Sequence, residues 1–181
     1  LSTLLLVGSG NDSTGIGDLK MHLSKHFQTK DLGLFRYFLG IEVARSKEGI
    51  RLCQRKYVLD LLIETGMLGT RPADTPMDPT VKLNADKGDV FADAGRYRRL
   101  VGKLIYLTVT RPDITYAVGV VSQFMHAPRK PHWEAMCRIL RYLKGAPGRG
   151  LLYKPSSPLS ISGFSDADWA GNQSDRRSTS G

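Results

Sequence analysis

Residues 97–107 read Tyr-Arg-Arg-Leu-Val-Gly-Lys-Leu-Ile-Tyr-Leu, and this stretch carries the clearest structural signal in the sequence. Its apolar side chains recur every three or four residues, which is the period of an amphipathic α-helix. At about 100° per residue, Arg96, Arg99 and Lys103 lie together on a second face of that helix. The stretch therefore predicts a helix that packs against a core on one side and presents positive charge on another.

Two more helices are predicted directly after it. Residues 113–125 place apolar side chains on one side, with Pro112 suited to a first turn and Thr110 as a candidate cap. Residues 132–144 bury an apolar stripe and end at Gly145, and basic residues follow one another on the surface at Arg138, Arg141 and Lys144. Three amphipathic helices with short connections predict a small bundle.

Strand signals lie on both sides of this bundle. Residues 37–43 and 50–54 are rich in branched and aromatic residues, and Gly49 between them predicts a β-hairpin with a glycine of positive φ. The same patterns predict further strands at residues 4–7, 151–153 and 159–164, and further helices at residues 16–27 and 57–65. Residues 69–95 contain several prolines and no apolar period, so we expect an extended connector there. Helices combined with hairpin strands indicate the α+β class.

The composition is that of an ordinary globular protein. The 181 residues are 41% hydrophobic and 24% charged, which allows one domain, or one domain and a fragment of a second, and argues against disorder. The longest weakly polar run, residues 114–125, is too short to span a bilayer, and no signal-peptide pattern is present. We therefore expect an intracellular protein that is not secreted and has no membrane partner.

The positive charge is concentrated in one segment. Between Arg96 and Arg149 there are eleven basic residues and two acidic ones, while the rest of the chain is neutral. A segment of a single sign is typical of a polyanion partner, and nucleic acid is the first candidate. Charge that only keeps the protein soluble is the alternative that the sequence leaves open.

Cysteine and histidine give no strong signal. Cys53 and Cys137 are far apart in sequence, which favours two buried free thiols in a reducing compartment over a disulfide. His22 and His26 are spaced to share a helical face, but no third ligand lies nearby in sequence to complete a metal site. His132 is interpreted as a loop histidine because Pro131 precedes it.

Short blocks spread along the whole chain occur in a characteristic order. They are Lys30-Asp31-Leu32-Gly33, Tyr37-Phe38-Leu39-Gly40-Ile41-Glu42, Gln54-Arg55-Lys56-Tyr57, Asp74-Thr75-Pro76-Met77, the stretch at 97–107, Thr110-Arg111-Pro112-Asp113-Ile114, the stretch at 138–145, and the stretches at 165–171 and 175–181. Their order resembles the reverse transcriptase and the opening of the ribonuclease H domain in the Pol polyprotein of copia-type LTR retrotransposons.

The resemblance implies a division of the chain into four parts. Residues 1–68 would be the end of a polymerase palm with the primer-grip hairpin, and residues 69–95 an extended connector. Residues 96–147 would be a basic helical thumb or connection region, and residues 148–181 a truncated start of a ribonuclease H-like domain with its first strands.

The resemblance also assigns contacts to nucleic acid. Phe38, Leu39 and Gly40 correspond to the primer grip, the hairpin that holds the primer terminus. The charge and the helical spacing, rather than the resemblance, select the helical contacts Arg96, Arg99, Lys103, Arg138, Arg141 and Lys144, and the resemblance places these helices in the region that grips the duplex. The implied partners are an RNA/DNA hybrid or duplex and the remainder of the Pol polyprotein.

The resemblance implies Mg²⁺ as the cofactor of the parent enzyme, with none expected to be bound tightly by this chain. Asp166 corresponds to the first metal-binding carboxylate of the ribonuclease H site, which the chain leaves incomplete. The family's paired polymerase aspartates would lie before Asp12, where the sequence has no acidic residue. Two-metal nucleotidyl transfer needs converging carboxylates, so we expect no polymerisation by this chain.

Three functions remain open. The first is a fragment of an RNA-directed DNA polymerase and ribonuclease H that binds RNA/DNA duplex and is catalytically inactive alone. The second is a nucleic-acid-binding relic without chemistry. The third is a protein-interaction module whose basic bundle meets an acidic partner.

Overall fold

The computed structural model describes residues 12–30, 33 and 36–154, and the backbone of two short strands further on. Its helices are α1 Ser13–His26, α2 Arg55–Glu64, α3 Ala94–Leu107, α4 Thr115–Ser122 and α5 Lys130–Gly145. Its strands are β1 Tyr37–Phe38, β2 Ile41–Ser46, β3 Gly49–Cys53, β4 Gly150–Tyr153, β5 Ala167–Asp168 and β6 Thr179–Ser180. Helices with a small antiparallel sheet confirm the α+β class. The strands predicted at residues 4–7 and 159–164 lie outside the described residues.

Helix α3 is at the centre of the core. Asp93 caps it, because its carboxylate accepts from the backbone N–H of Arg96 at 2.8 Å. The helix buries Tyr97, Leu100, Val101, Leu104 and Leu107 against α2, α4 and α5. The buried residues are those on the predicted apolar face, so the prediction of an amphipathic helix is confirmed. Burying each apolar side chain stabilises the fold by about 1.5–3 kcal/mol, and this burial holds the helix against the core.

The sheet has the order β1-β2-β3-β4, and every neighbouring pair is antiparallel. The predicted hairpin is confirmed, with Ser46 opposite Gly49 and a φ of 134° at Gly49. A Cβ at Gly49 would lie 2.1 Å from the carbonyl oxygen of Tyr153, so only glycine fits. Strand β4 comes from beyond the helical bundle, and its pairing with β3 attaches residues 150–153 to the hairpin. The predicted boundary at residue 148 stays a prediction.

The structure corrects three details of the bundle. The helix predicted at residues 113–125 is a 3₁₀ turn, Pro112–Ile114, followed by the short helix α4. Thr110 does not cap it, because its hydroxyl donates to Oε1 of buried Gln54 at 2.8 Å. Helix α5 begins at Lys130, and His132 is a buried residue of its first turn. The interpretation of His132 as a loop histidine is therefore wrong.

Helix α1 contributes no buried residue. Asp12 caps it by accepting from the N–H groups of Thr14 and Gly15. The predicted apolar stripe is present, yet Leu19 and Phe27 are both more than half exposed. Its cap therefore stabilises this helix, whereas burial against the described residues does not.

Candidate nucleic-acid interface

The first candidate site is the turn between β1 and β2. Phe38 pairs with Ile41, so Leu39 and Gly40 are the two residues of the loop. Both have positive φ, 48° at Leu39 and 82° at Gly40, as a tight hairpin turn of this length requires. This conformation costs a leucine about 1–2 kcal/mol, and the leucine side chain is 68% exposed. The turn therefore presents an apolar side chain to solvent from a strained backbone.

Two tyrosines from the helices lie against this turn. The hydroxyl of Tyr106 in α3 donates to the carbonyl oxygen of Leu39. The ring of Tyr57 in α2 meets the ring of Tyr106 edge-on, with centroids 5.4 Å apart. A Cβ on Gly40 would lie 3.5 Å from the Tyr57 ring. The turn is thus held by the helices as well as by the sheet.

The second candidate site is the basic face of α3, which leads to the same place. Arg96, Arg99, Lys103 and Tyr106 follow one another at helical spacing, so the stripe ends at the tyrosine that contacts the turn. Arg96 lies over the ring of Trp133, 5.1 Å from its centroid. Lys103 forms an ion pair with Glu64 of α2. Arg99 is exposed and has no hydrogen-bond or ion-pair partner among the described residues.

Neighbouring positions on α3 are open. Arg98 is exposed, and a Cβ added at Gly102 would meet no atom within 4 Å. The helix surface beside the basic face is therefore not covered by other parts of the described structure. Guanidinium groups beside a projecting turn can contact the phosphates of a nucleic-acid strand. Such contacts position a duplex without reading its sequence.

Comparisons with known proteins identify the family of the chain. A family model described as reverse transcriptase (RNA-dependent DNA polymerase) matches residues 3–79. The chain is 47% identical over 173 residues to the retrovirus-related Pol polyprotein from transposon RE1 of Arabidopsis thaliana, covering 96% of this chain and 12% of that protein. It is 43% identical over 179 residues to an uncharacterized mitochondrial protein of the same plant, covering 98% of this chain and 73% of that protein. The chain belongs to the reverse transcriptase family of transposon Pol polyproteins.

The match covers nearly all of this chain but only a small part of each polyprotein. The retrovirus-related Pol polyprotein from transposon RE2 of Arabidopsis thaliana is 45% identical over 173 residues, which cover 96% of this chain and 12% of that protein. The chain therefore spans about an eighth of the length of these two polyproteins. No solved structure matches it significantly.

The basic stripe of α5 has a different environment from that of α3. The connector crosses it, and Lys144 donates to the carbonyl of Thr70. Arg138 donates to the carbonyl and the hydroxyl of Thr75, at 3.2 and 3.0 Å. The carbonyl of Arg141 accepts from the N–H of Ala73 at 3.2 Å. The structure thus brings the α3 stripe to the turn, whereas the α5 stripe holds the connector.

The connector continues along α5 to its first turn. Lys130 forms an ion pair with Asp89 at 2.7 Å, and Arg129 donates to the carbonyls of Ala85 and Gly88. His132 accepts at Nδ1 from the N–H of Arg129, and its Nε2 lies 3.0 Å from the carbonyl of Asn84. Since a carbonyl only accepts, Nε2 carries the proton. Burial lowers the pKa of His132, so the neutral ring holds the connector here.

The sequence did not predict a polar cluster that forms around the Thr-Arg-Pro-Asp block at residues 110–113. Arg111 is 1% exposed and donates twice to the Asp113 carboxylate, at 2.9 and 2.8 Å. Tyr142 also donates to Asp113, at 2.7 Å, and Arg149 donates to the hydroxyl of Tyr142 at 2.8 Å. Burial alone would raise the pKa of Asp113, but the donors around it lower the pKa to about 2. The sequence feature that could have predicted this cluster is the spacing of Arg111 and Asp113, an acidic residue two positions after a basic one.

Metal-binding residues are not assembled in the described part of the chain. No group of three or more His, Cys, Asp or Glu side chains there could hold an ion. The rings of His22 and His26 lie 4.7 Å apart, but no third potential ligand among the described residues joins them. The described side chains therefore do not fit the Mg²⁺ that the family resemblance implies. Asp166, the predicted ribonuclease H carboxylate, lies outside the described residues.

Two further sequence-based predictions concern the cysteines and a membrane-spanning helix. Cys53 and Cys137 are both free, as predicted, although each is half-buried rather than fully buried. Across the described ranges, no helix combines the length and the apolar content that a membrane span requires.

Proposed function

We propose that this chain is a nucleic-acid-gripping part of a retrotransposon Pol polyprotein whose parent activity is RNA-directed DNA synthesis with ribonuclease H. The observation that carries the proposal is the hydrogen bond from Tyr106 to Leu39, because it joins the two elements assigned independently to nucleic acid. One element was assigned by its charge, and the other by its place in the family. Their contact supports a single binding surface.

On this surface the basic residues would contact phosphates. Arg96 and Arg99 of α3 lie on one face, with the exposed Arg98 beside them. Guanidinium groups bind phosphate through paired hydrogen bonds, and such contacts are indifferent to base sequence. The turn at Leu39–Gly40 would meet the primer strand. An RNA/DNA hybrid is the expected partner, since the family acts on that duplex.

The α5 cations would contribute less to binding. The donors of Arg138 and Lys144 are engaged with the connector, so phosphate would have to displace contacts inside the protein. Arg141 is half-buried, and its Nε has no partner among the described residues. Because that Nε atom is buried, Arg141 does not present it to a phosphate. We therefore assign phosphate binding to α3, with Arg138 and Lys144 in a structural role.

The 181-residue chain would not polymerise DNA alone. The family's paired aspartates, which hold two Mg²⁺ ions, would align with positions before Asp12 that are not acidic in this sequence. Asp166 is proposed as the first carboxylate of the ribonuclease H site, with its metal partners elsewhere. Mg²⁺ would serve the parent enzyme rather than this chain.

A second candidate is a nucleic-acid-binding protein without polymerase activity. One observation favours it: this segment spans 73% of the length of the uncharacterized mitochondrial relative. A protein built mostly from this segment has little room for the rest of a polymerase. The binding surface would be the same in both cases.

A competition titration tests the proposal. A labelled RNA/DNA hybrid bound to the purified chain should be displaced by unlabelled hybrid and not by an acidic polypeptide such as polyglutamate. Displacement by polyglutamate at equal charge concentration would instead indicate a protein-interaction module. In parallel, primer extension on poly(rA)–oligo(dT) with Mg²⁺ should be absent, and extension that a chelator abolishes would contradict the catalytic part.

A further inference from the structure

The turn at Leu39–Gly40 needs support that the sheet gives only in part. Strand β1 has two residues, and its ladder to β2 consists of Tyr37 opposite Glu42 and Phe38 opposite Ile41. Leu39 has a φ of 48°, which L-residues with a side chain rarely adopt. Its side chain is exposed and gains little from burial. A strained turn on a two-residue strand at the edge of a sheet is expected to open locally.

Helix α3 supplies the missing support through one atom. The Tyr106 hydroxyl donates to the carbonyl of Leu39, across 67 positions of sequence. The Tyr106 ring is itself fixed by its edge-on contact with Tyr57, at 72° between the ring planes. The donor therefore has a defined position relative to α3. The hydrogen bond transmits that position to the turn.

We propose that Tyr106 is a positioning residue: its hydroxyl holds the Leu39–Gly40 turn in fixed register with the basic face of α3, so that both meet one nucleic-acid strand as a rigid surface. This inference rests on the proposed function. A surface that is ordered before binding loses less conformational entropy when it binds. The hydrogen bond also keeps the Leu39 carbonyl, which carries partial negative charge, directed at α3 instead of at an approaching phosphate.

Tyr106→Phe tests the inference because it removes the hydroxyl and keeps the ring. One hydrogen bond of this kind corresponds to about a three- to tenfold change in an equilibrium constant. Amide exchange at Ile41 and Val43, which pair with strand β1 and the residue before it, should accelerate by about that factor. Affinity for a hybrid with a recessed primer end should fall by a similar factor, and the thermal midpoint of the whole chain should change little.

The salt dependence separates positioning from direct contact. Tyr106 carries no charge, so Tyr106→Phe should lower affinity equally at every salt concentration and leave the slope of log K against log salt unchanged. Arg99→Ala should reduce the slope. Tyr116→Phe is the matched control, because Tyr116 is 77% exposed on α4. It should change neither the exchange at Ile41 nor the affinity.

Each outcome decides a different point. Unchanged exchange at Ile41 and Val43 in Tyr106→Phe would overturn the positioning role. Faster exchange with wild-type affinity would overturn the functional part of the inference. If the wild-type chain binds no hybrid at all, the proposed function fails and the functional part fails with it, while exchange at Ile41 still reports on the support of the turn by Tyr106.

Discussion

The guanidinium of Arg111 is 1% exposed and forms two hydrogen bonds to the Asp113 carboxylate, two residues along the chain. A third bond from Arg111 reaches the carbonyl of Ala146 at 3.0 Å, beyond the end of α5. The Asp113 carboxylate also accepts from Tyr142 on α5. This pair therefore joins the turn before α4 to the end of α5, and it takes one cation of the basic segment into the interior.

Replacing Asp113 should destabilise the fold. Asp113→Asn leaves the buried Arg111 without a counter-charge, and removing one partner of a buried pair costs about 3–5 kcal/mol. The lower end applies here because the carboxylate is 28% exposed. Urea unfolding measures the change, and Asp60→Asn is the control, since its pair with Lys56 lies on the surface. Equal unfolding free energies for the two variants would contradict the structural role of this pair.

The same carboxylate predicts a pH dependence. The pKa of Asp113 is about 2 in the folded chain, below its ordinary value of 3.8. A lowered folded pKa gives stability that is complete above 3.8 and is lost as the pH falls through about 2. Unfolding midpoints measured from about pH 5 to about pH 2 should fall for the wild type. They should fall less for Asp113→Asn, and parallel profiles would show that another group is responsible.

The α5 cations should act on the connector. Arg138→Ala and Lys144→Ala remove the bonds to Thr75 and Thr70, so residues 70–75 should become more accessible. Limited proteolysis followed by mass spectrometry should detect faster cleavage there, with Lys87→Ala as the control because Lys87 is an exposed cation elsewhere in the connector. Wild-type cleavage combined with a large loss of hybrid affinity would instead assign these cations to phosphate.

Two glycines should respond to alanine in opposite directions. Gly40 has a φ of 82°, so Gly40→Ala should cost about 1–2 kcal/mol of unfolding free energy. Gly102 lies in α3 with no atom within 4 Å of an added Cβ. Gly102→Ala should therefore stabilise the chain by about 0.5–1 kcal/mol through helix propensity. Chemical denaturation measures both, and a stabilising Gly40→Ala would show that the turn does not require positive φ.

The sequence predicts the elements whose signals are local. The period of residues 97–107 gives α3 and its buried side, and Gly49 gives the turn between β2 and β3, because both depend on neighbours within a few residues. Pairing of β4 with β3 depends on residues that the whole bundle separates. No local pattern records such a partner, so the attachment of residues 150–153 was not predicted.

The candidate site divides in the same way. The charge of Arg96 and Arg99 and their shared face follow from spacing alone. The engagement of Lys144 does not, because its acceptor is the carbonyl of Thr70, a group that every residue carries. The hydrogen bond between Tyr106 and Leu39 is likewise a bond to the backbone. Bonds from side chains to distant carbonyls decide which cations are engaged within the protein, and they become visible only in the fold.

The most direct test of the account is the salt dependence of hybrid binding by Arg96→Ala/Arg99→Ala. Removing a cation that neutralises one phosphate reduces the slope of log K against log salt by about 0.9, so this variant should show a slope smaller by about two units. Lys47→Ala, which removes an exposed cation at the opposite end of β2 from the Leu39–Gly40 turn, should keep the wild-type slope. A wild-type affinity that is unchanged between low and moderate salt, or a double variant with the wild-type slope, would contradict the assignment of this face of α3 to nucleic acid.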